Sequence, residues 1–179
     1  NNIWCLTYDK RCYLFNTWTY EYQDPFLFNK SLTNSVNKLY ALGKGITWAV
    51  GMQNELYRID ENKFPTTESV ELYSGRNERD TIYGITQDKD GDEWILTNKG
   101  ALIVGQKSIS NLMPFEFMVE VPDGIYLATS KGFFTRYDTQ NQDVLPCVPE
   151  QPISEITGLK SLADNKIVIL QNRSIILYD

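Results

Sequence analysis

The most chemically suggestive stretch is NTWTYEYQD, where Trp18, Tyr20 and Tyr22 alternate and Glu21 and Asp24 lie close by. As a strand it would carry one wholly aromatic face. Such a face stacks on the apolar side of a sugar ring while neighbouring carboxylates and amides hold the hydroxyls. The same pattern also suits an outer strand packed on its neighbour. Phe26 and Phe28 extend the aromatic group toward Asn29 and Lys30, so a loop on one rim is a further possibility, and rim loops carry function more often than strands.

Other constellations are less specific. Asp88, Asp90 and Asp92 alternate around Gly91. A calcium loop of the EF-hand kind would need glycine sixth and glutamate twelfth; here glycine is fourth and Lys99 is twelfth, which favours a solvated hairpin turn. Cys5 and Cys12 flank the turn TYDKR, and a bridge between them stays open, with Cys147 left over. No Cys-x-x-Cys exists, so a thiol-built metal site is not expected. Glu68 with Glu71, and Asp92 with Glu93, are the best carboxylate pairs, and neither spacing specifies a reaction. The chain has no histidine, which removes Ser-His-Asp and Cys-His relays and imidazole zinc sites. We therefore expect no catalytic residues, no metal and no cofactor.

What must position these residues is a repeat. Trp4, Trp48 and Trp94 each open a short apolar run, WCLT, WAVG and WILT; YLAT from Tyr126 and IVIL from Ile167 fit the same frame. Aligned without gaps, the column eight residues on holds Cys12, Leu56, Leu102, Phe134 and Ile175. Twelve residues on stand Asn16, Asp60, Gln106, Asp138 and Asp179. Turn formers precede the anchors at Gly91-Asp92, Asp123-Gly124 and Asp164-Asn165. TIYGIT, EWILT and ALIV read as strands joined by KDGD and NKG; FMVEV, IYLAT and FFTRYD repeat the pattern around PDG and SKG. Gly, Asn and Asp supply the positive φ of such hairpins. VELY from Val70 makes a fourth strand. SVNKLYAL, the one stretch with a helical look, shares its column with TIYGIT and FMVEV and is expected to be a strand.

Four antiparallel strands every ~40–45 residues is the β-propeller pattern. The expected fold is all-β, four-stranded blades spanning about 1–34, 35–78, 79–112, 113–150 and 151–179, with Trp48 and Trp94 buried between sheets. Strand counting leaves three strands at each end, too many for one shared blade. An open arc of four to five blades from a larger propeller is therefore expected. Its bare end faces would be covered by the remaining blades of a parent chain or by a second copy, near Trp4 to Asn16 and Ile167 to Asp179.

The segment Gln87 to Leu102 resembles the two-component regulator propeller repeat through Asp88, Gly91, Trp94, Thr97, Gly100 and Leu102. Gly124, Thr129, Gly132, Arg136, Tyr137 and Asp138 match in the next unit, and Arg58, Ile59 and Asp60 in an earlier one. The pattern departs from the family at Lys10, Asn54 and Arg173 in the glycine column and at Ile167 in the anchor column. The resemblance implies the periplasmic sensor part of a hybrid two-component histidine kinase of the Bacteroidetes type, itself non-catalytic and sensing oligosaccharides. It fixes no ligand residues, so the binding candidates are those read from the sequence: Trp18, Tyr20, Tyr22, Glu21 and Asp24. The alternatives are a propeller polysaccharide lyase or glycosidase, which needs convergent carboxylates or a Tyr-Arg pair on one rim, and a protein-interaction propeller. Seventeen basic against 23 acidic side chains give a net charge of −6, which argues against a nucleic-acid partner. No apolar run approaches the ~18 residues that span a bilayer, so no membrane contact is expected within this segment.

Overall fold

A computed structural model describes residues 2–27, 34–74, 80–103, 115–138, 141, 143–148, 152–162 and 165–178. Expectations that rest on Phe28, Asn29, Lys30, Gln106, Asp164 and Asp179 lie outside the described residues. The chain divides into two compact units, Asn1–Arg79 and Asp80–Asp179. Among the described residues every sheet is antiparallel, and consecutive strands of a sheet are neighbours.

The first unit holds two sheets. In the first, β1 (Asn2–Leu6), β2 (Cys12–Asn16) and β3 (Glu21–Gln23) lie in that order. The second comprises β4 (Val36–Gly43), β5 (Ile46–Gly51), β6 (Leu56–Asp60) and β7 (Val70–Leu72). SVNKLYAL is indeed the first strand of its sheet, β4. Two 3₁₀ turns, Glu61–Lys63 and Thr67–Ser69, join β6 to β7. Cys12, Phe26, Val36, Ala49, Tyr57, Ile59 and Val70 pack together between the sheets, with Trp4, Leu39 and Phe64 at the margin.

The second unit holds three sheets. Strands β8 (Ile82–Gln87), β9 (Glu93–Thr97) and β10 (Gly100–Ile103) form the third sheet of the chain. The fourth consists of β11 (Phe117–Val121), β12 (Gly124–Ala128), β13 (Phe134–Asp138) and β14 (Asp143–Pro146). The fifth consists of β15 (Ile156–Ser161), β16 (Ile167–Gln171) and β17 (Ile175–Tyr178). The first strands β8, β11 and β15 follow one another side by side, as blades of a propeller do at its inner wall. One core joins the third and fourth sheets through Trp94, Leu96, Ala101, Phe115, Ile125, Leu127 and Tyr137. Another joins the fourth and fifth through Tyr126, Ala128, Phe134, Ile156, Ile167, Ile169 and Ile176.

This stacking explains the apolar runs. A strand covered on one face alternates; β9 is buried at all five positions, so WILT is continuous rather than alternating. Trp48 and Trp94 are buried, at 0 % and 1 % exposure, as the repeat required.

Register corrects the ungapped alignment. Trp94 pairs with Thr86 and Ile103. The residue with the matching partners in the fifth sheet is Val168, which pairs with Lys160 and Leu177. The anchor of the fifth unit is therefore Val168, not Ile167. The β9–β10 and β16–β17 hairpins are also one residue shorter than the others, so Ala101, rather than Leu102, occupies the column of Cys12, Leu56 and Phe134. Because strand side chains alternate faces, one residue of slip moves every side chain to the other side. Ile167 accordingly faces the fourth sheet and is fully buried; for Ile175 the two shifts cancel, so it keeps its column and lies on the opposite face, largely exposed.

Register also decides the cysteines. Cys5 pairs with Tyr13, and Cys12 with Leu6. The two thiols point to opposite faces of the sheet and are free.

Candidate functional site

The aromatic group around Trp18 is not a strand face. β2 ends at Asn16, whose Oδ1 accepts from the backbone N–H of Trp18 (2.9 Å) and Thr19 (3.1 Å). Its carbonyl accepts from the N–H of Tyr20 at 2.9 Å. This side-chain capping turns the chain, and Tyr20 adopts a left-handed φ of 58°. Trp18 and Tyr20 thus stand in the β2–β3 turn, each 78 % exposed. Only Tyr22 and Glu21 of the five predicted residues lie on β3. Tyr22 sits opposite Phe15, the ring centroids 4.8 Å apart. The Asp24 carboxylate caps the following turn, accepting from the N–H of Phe26 at 2.9 Å. Phe26 leaves the patch altogether: it is buried against Tyr57 in an edge-on contact.

The acidic alternation at Asp88–Asp92 is a turn built around one carboxylate. Asp88 Oδ1 accepts from the N–H of Asp90 (3.0 Å) and of Asp92 (2.9 Å). Its Oδ2 accepts from Trp94 Nε1 at 2.8 Å. Both oxygens are engaged in positioning the hairpin and the anchor ring.

A Tyr-Arg pair does exist in the fourth sheet. Tyr126 Oη donates to Asp123 Oδ2 at 2.9 Å, and Arg136 Nη1 donates to the same oxygen at 3.1 Å. Burial, reinforced by Asp123, pushes the Tyr126 phenol well above its ordinary range. Both groups meet on one carboxylate oxygen, so the pair braces the hairpin at Asp123.

Concave geometry appears elsewhere, on the edge where first strands begin and second strands turn into third. A cleft of about 560 Å³ lies between the third and fourth sheets, lined by Tyr83, Asn98, Glu116, Ser130, Lys131 and Phe133. Tyr83 comes from β8 and Phe133 from the residue before β13, and both rings are partly open to solvent. The turn TSKG that carries Ser130 and Lys131 is tightly fixed. Thr129 N–H donates to the Phe133 carbonyl (2.9 Å) and Gly132 N–H to the Thr129 carbonyl (3.1 Å). Ser130 N–H donates to Glu116 Oε2 at 2.6 Å. Gly132 has φ 94°, and a Cβ there would clash with the Ile153 carbonyl oxygen. On the other side, Asn98 Oδ1 accepts from the Thr81 N–H at 3.0 Å. Two aromatic rings, a carboxylate, an amide, a hydroxyl and an ammonium thus surround one opening on a rigid frame. None of these residues was singled out from the sequence. The available signal was the recurrence of TNKG and TSKG at equivalent turns, but Glu116 and Tyr83 join them only through folding.

No protein-family model matches the chain, and no curated protein matches it. Solved structures do. The extracellular domain of the hybrid two component system BT3049 from B. thetaiotaomicron superimposes with a TM-score of 0.66 at 14 % identity, covering 98 % of this chain and 25 % of that one. That of BT4673 from the same organism gives 0.65 at 16 % identity, covering 99 % and 25 %. A streptogramin B lyase gives 0.62 at 14 % identity, covering 100 % and 65 %. The chain spans about a quarter of the length of the two extracellular domains it matches. At these identities the likeness establishes the fold, and with antiparallel sheets stacked on one another within each unit it makes the chain a set of β-propeller blades.

Proposed function

We propose that the chain is part of an extracytoplasmic, periplasmic sensor domain of a hybrid two-component histidine kinase. In this reading it is non-catalytic and binds an oligosaccharide in the cleft between the third and fourth sheets. The observation that carries this reading is the cleft itself. Tyr83 and Phe133 offer ring faces to the apolar side of a sugar, while Asn98, Glu116, Ser130 and Lys131 offer donors and acceptors for hydroxyls. The architecture shared with extracellular domains of Bacteroides two-component systems supports the sensor role. The exposed Trp18–Tyr20 turn, with Glu21 and Asp24 beside it, is a second platform for the same ligand chemistry.

The test is binding of purified chain to a panel of size-defined oligosaccharides from plant and host polysaccharides, followed by calorimetry. Phe133→Ala should weaken binding at least tenfold, the scale of losing one stacking ring at about 1.4 kcal/mol per decade, and Trp18→Ala much less. Loss with Trp18→Ala alone would move the site to the β2–β3 turn. Hydrolysis or elimination of any of these glycans would overturn the reading in favour of a lyase or glycosidase.

A further inference from the structure

The two turns that flank the cleft each carry a cation in the same place. Aligned by register, TNKG (97–100) and TSKG (129–132) put Lys99 and Lys131 third, between a polar residue that lines the cleft and a glycine with positive φ. QNRS (171–174), the equivalent turn of the fifth sheet, has Arg173 there. The backbone around both lysines is fixed: Lys99 N–H donates to Thr97 Oγ1 at 3.1 Å, and Thr129 Oγ1 accepts from the Phe133 N–H at 3.2 Å. Both side chains are exposed, and among the described residues neither ammonium joins an ion pair.

The described carboxylates on this edge of the second unit are held by other donors. Glu116 Oε2 takes the Ser130 N–H at 2.6 Å, and Glu155 Oε2 takes Asn172 Nδ2 at 2.9 Å; Asp80 also has a partner. The opposite edge has the other sign. There the β8–β9 turn holds Asp88, Asp90 and Asp92 around Lys89, and the β11–β12 turn holds Asp123. In a chain of net charge −6, two lysines without ion pairs thus stand on the edge that opens into the cleft. A neutral sugar gives an ammonium only hydroxyl oxygens, which an amide or hydroxyl serves without the cost of desolvating a charge. An anionic oxygen makes a hydrogen bond about twice as strong, and the low-dielectric walls that Tyr83 and Phe133 supply strengthen the attraction.

We propose that the oligosaccharide taken by this cleft is acidic, with a carboxylate or sulfate ester seated on Lys131. Lys99, on the neighbouring turn, adds attraction at longer range. Glu116 on the same opening fixes the orientation: it repels the anion and accepts from hydroxyls, so the charged substituent points to the TSKG turn and the hydroxyls to the start of β11. This deepens the cleft reading above and rests on it.

Calorimetry on the purified chain tests this with matched pairs: trigalacturonate against its methyl ester, and a sulfated carrageenan tetrasaccharide against its desulfated form. The acidic member of at least one pair should bind about tenfold tighter than its uncharged partner, and the advantage should shrink as salt is raised. Which pair responds separates a carboxylate from a sulfate. Lys131→Met should abolish the preference and leave binding of the uncharged member within about twofold, while Lys131→Arg retains it. The position is exposed on a turn, so the fold should survive, which circular dichroism checks. A wild type that binds the uncharged members as well, or a Lys131→Met chain that keeps the preference, overturns the proposal; the cleft reading then stands if Phe133→Ala still weakens binding. Binding that Phe133→Ala leaves intact, or no binding to any member, overturns the cleft reading and this proposal with it.

Discussion

Trp94 and Asp88 hold each other: the indole Nε1 donates to Oδ2 at 2.8 Å, and the other carboxylate oxygen takes two backbone N–H groups of the same turn. The pairing recurs with different residues. Trp4 Nε1 donates to Glu61 Oε1 at 2.8 Å, and the Tyr126 hydroxyl donates to Asp123. A large ring with one polar atom can be buried only if that atom finds a partner, and in each of these sheets an acidic side chain supplies it.

Asp88→Ala should therefore destabilise the chain by about 2–4 kcal/mol, since three donors lose their acceptor and the indole N–H is left buried. Urea denaturation measures it. Combined with Trp94→Phe, the double mutant should be less than additive by about 1 kcal/mol or more, as expected for residues in direct contact.

Trp94→Ala should cost about 3–5 kcal/mol as a buried truncation. Trp4→Ala should cost distinctly less, because Trp4 is only half-buried. Equal losses at the two positions would mean that the outer sheet is packed more fully than its exposure indicates.

Gly91 and Gly132 share a φ of 94° but differ in surroundings. Nothing lies within 4 Å of a Cβ at Gly91, whereas at Gly132 the Ile153 carbonyl blocks it. Gly91→Ala should cost about 1 kcal/mol, the backbone penalty alone. Gly132→Ala should cost about 2–4 kcal/mol and also distort the cleft, because a carbonyl cannot rotate away as a flexible side chain can. Thermal melts and oligosaccharide titration of the two variants separate these effects.

Alkaline pH should destabilise the fold. Burial pushes the Cys12 thiol up to about 12, and burial, aided by Cys147, raises the Tyr178 phenol to about 12. Both groups ionise more readily in the unfolded chain, whose thiols and phenols titrate near 8.5 and 10. Stability is thus full below about pH 8 and falls as pH rises toward 12. Cys12→Ala should flatten the early part of that fall in urea midpoints measured from pH 7 to 11. Native Cys12 should also resist alkylation at pH 8 until the chain unfolds.

The blades were legible in the sequence wherever an anchor carried a tryptophan and a glycine turn. EWILT is β9 residue for residue, because an apolar run between the turn residues Asp92 and Asn98 leaves little choice of local structure, and VELY contains β7, its apolar residues alternating with Glu71. The fifth unit was legible as strands but not in register. IVIL is apolar at every position, and a hairpin shortened by one residue leaves no mark in such a run. The turn at Trp18 was misread because alternating aromatics suggest a strand, while Asn16, whose side chain bonds two N–H groups ahead, was the overriding signal. The cleft left only one trace in the sequence, the recurrence of TNKG and TSKG. Tyr83, Asn98, Glu116 and Phe133 come from four places in the chain, and only the side-by-side arrangement of β8 and β11 brings them together.

The bond from Trp4 to Glu61 differs from its counterparts in crossing from one sheet to the next, where Trp94 and Tyr126 find partners in their own. The first sheet thus borrows its anchor's acceptor from the 3₁₀ turn that follows β6. Its folding is then conditional: until the second sheet forms, the Trp4 indole has neither its carboxylate nor the core of Ala49, Tyr57 and Ile59 to rest on. In a linear array of nearest-neighbour contacts, such a sheet is the last to form and the first to fray. Amide hydrogen exchange across Asn2–Asn16 should run ahead of that in β5 and β6, with the order set by this loan of a single carboxylate.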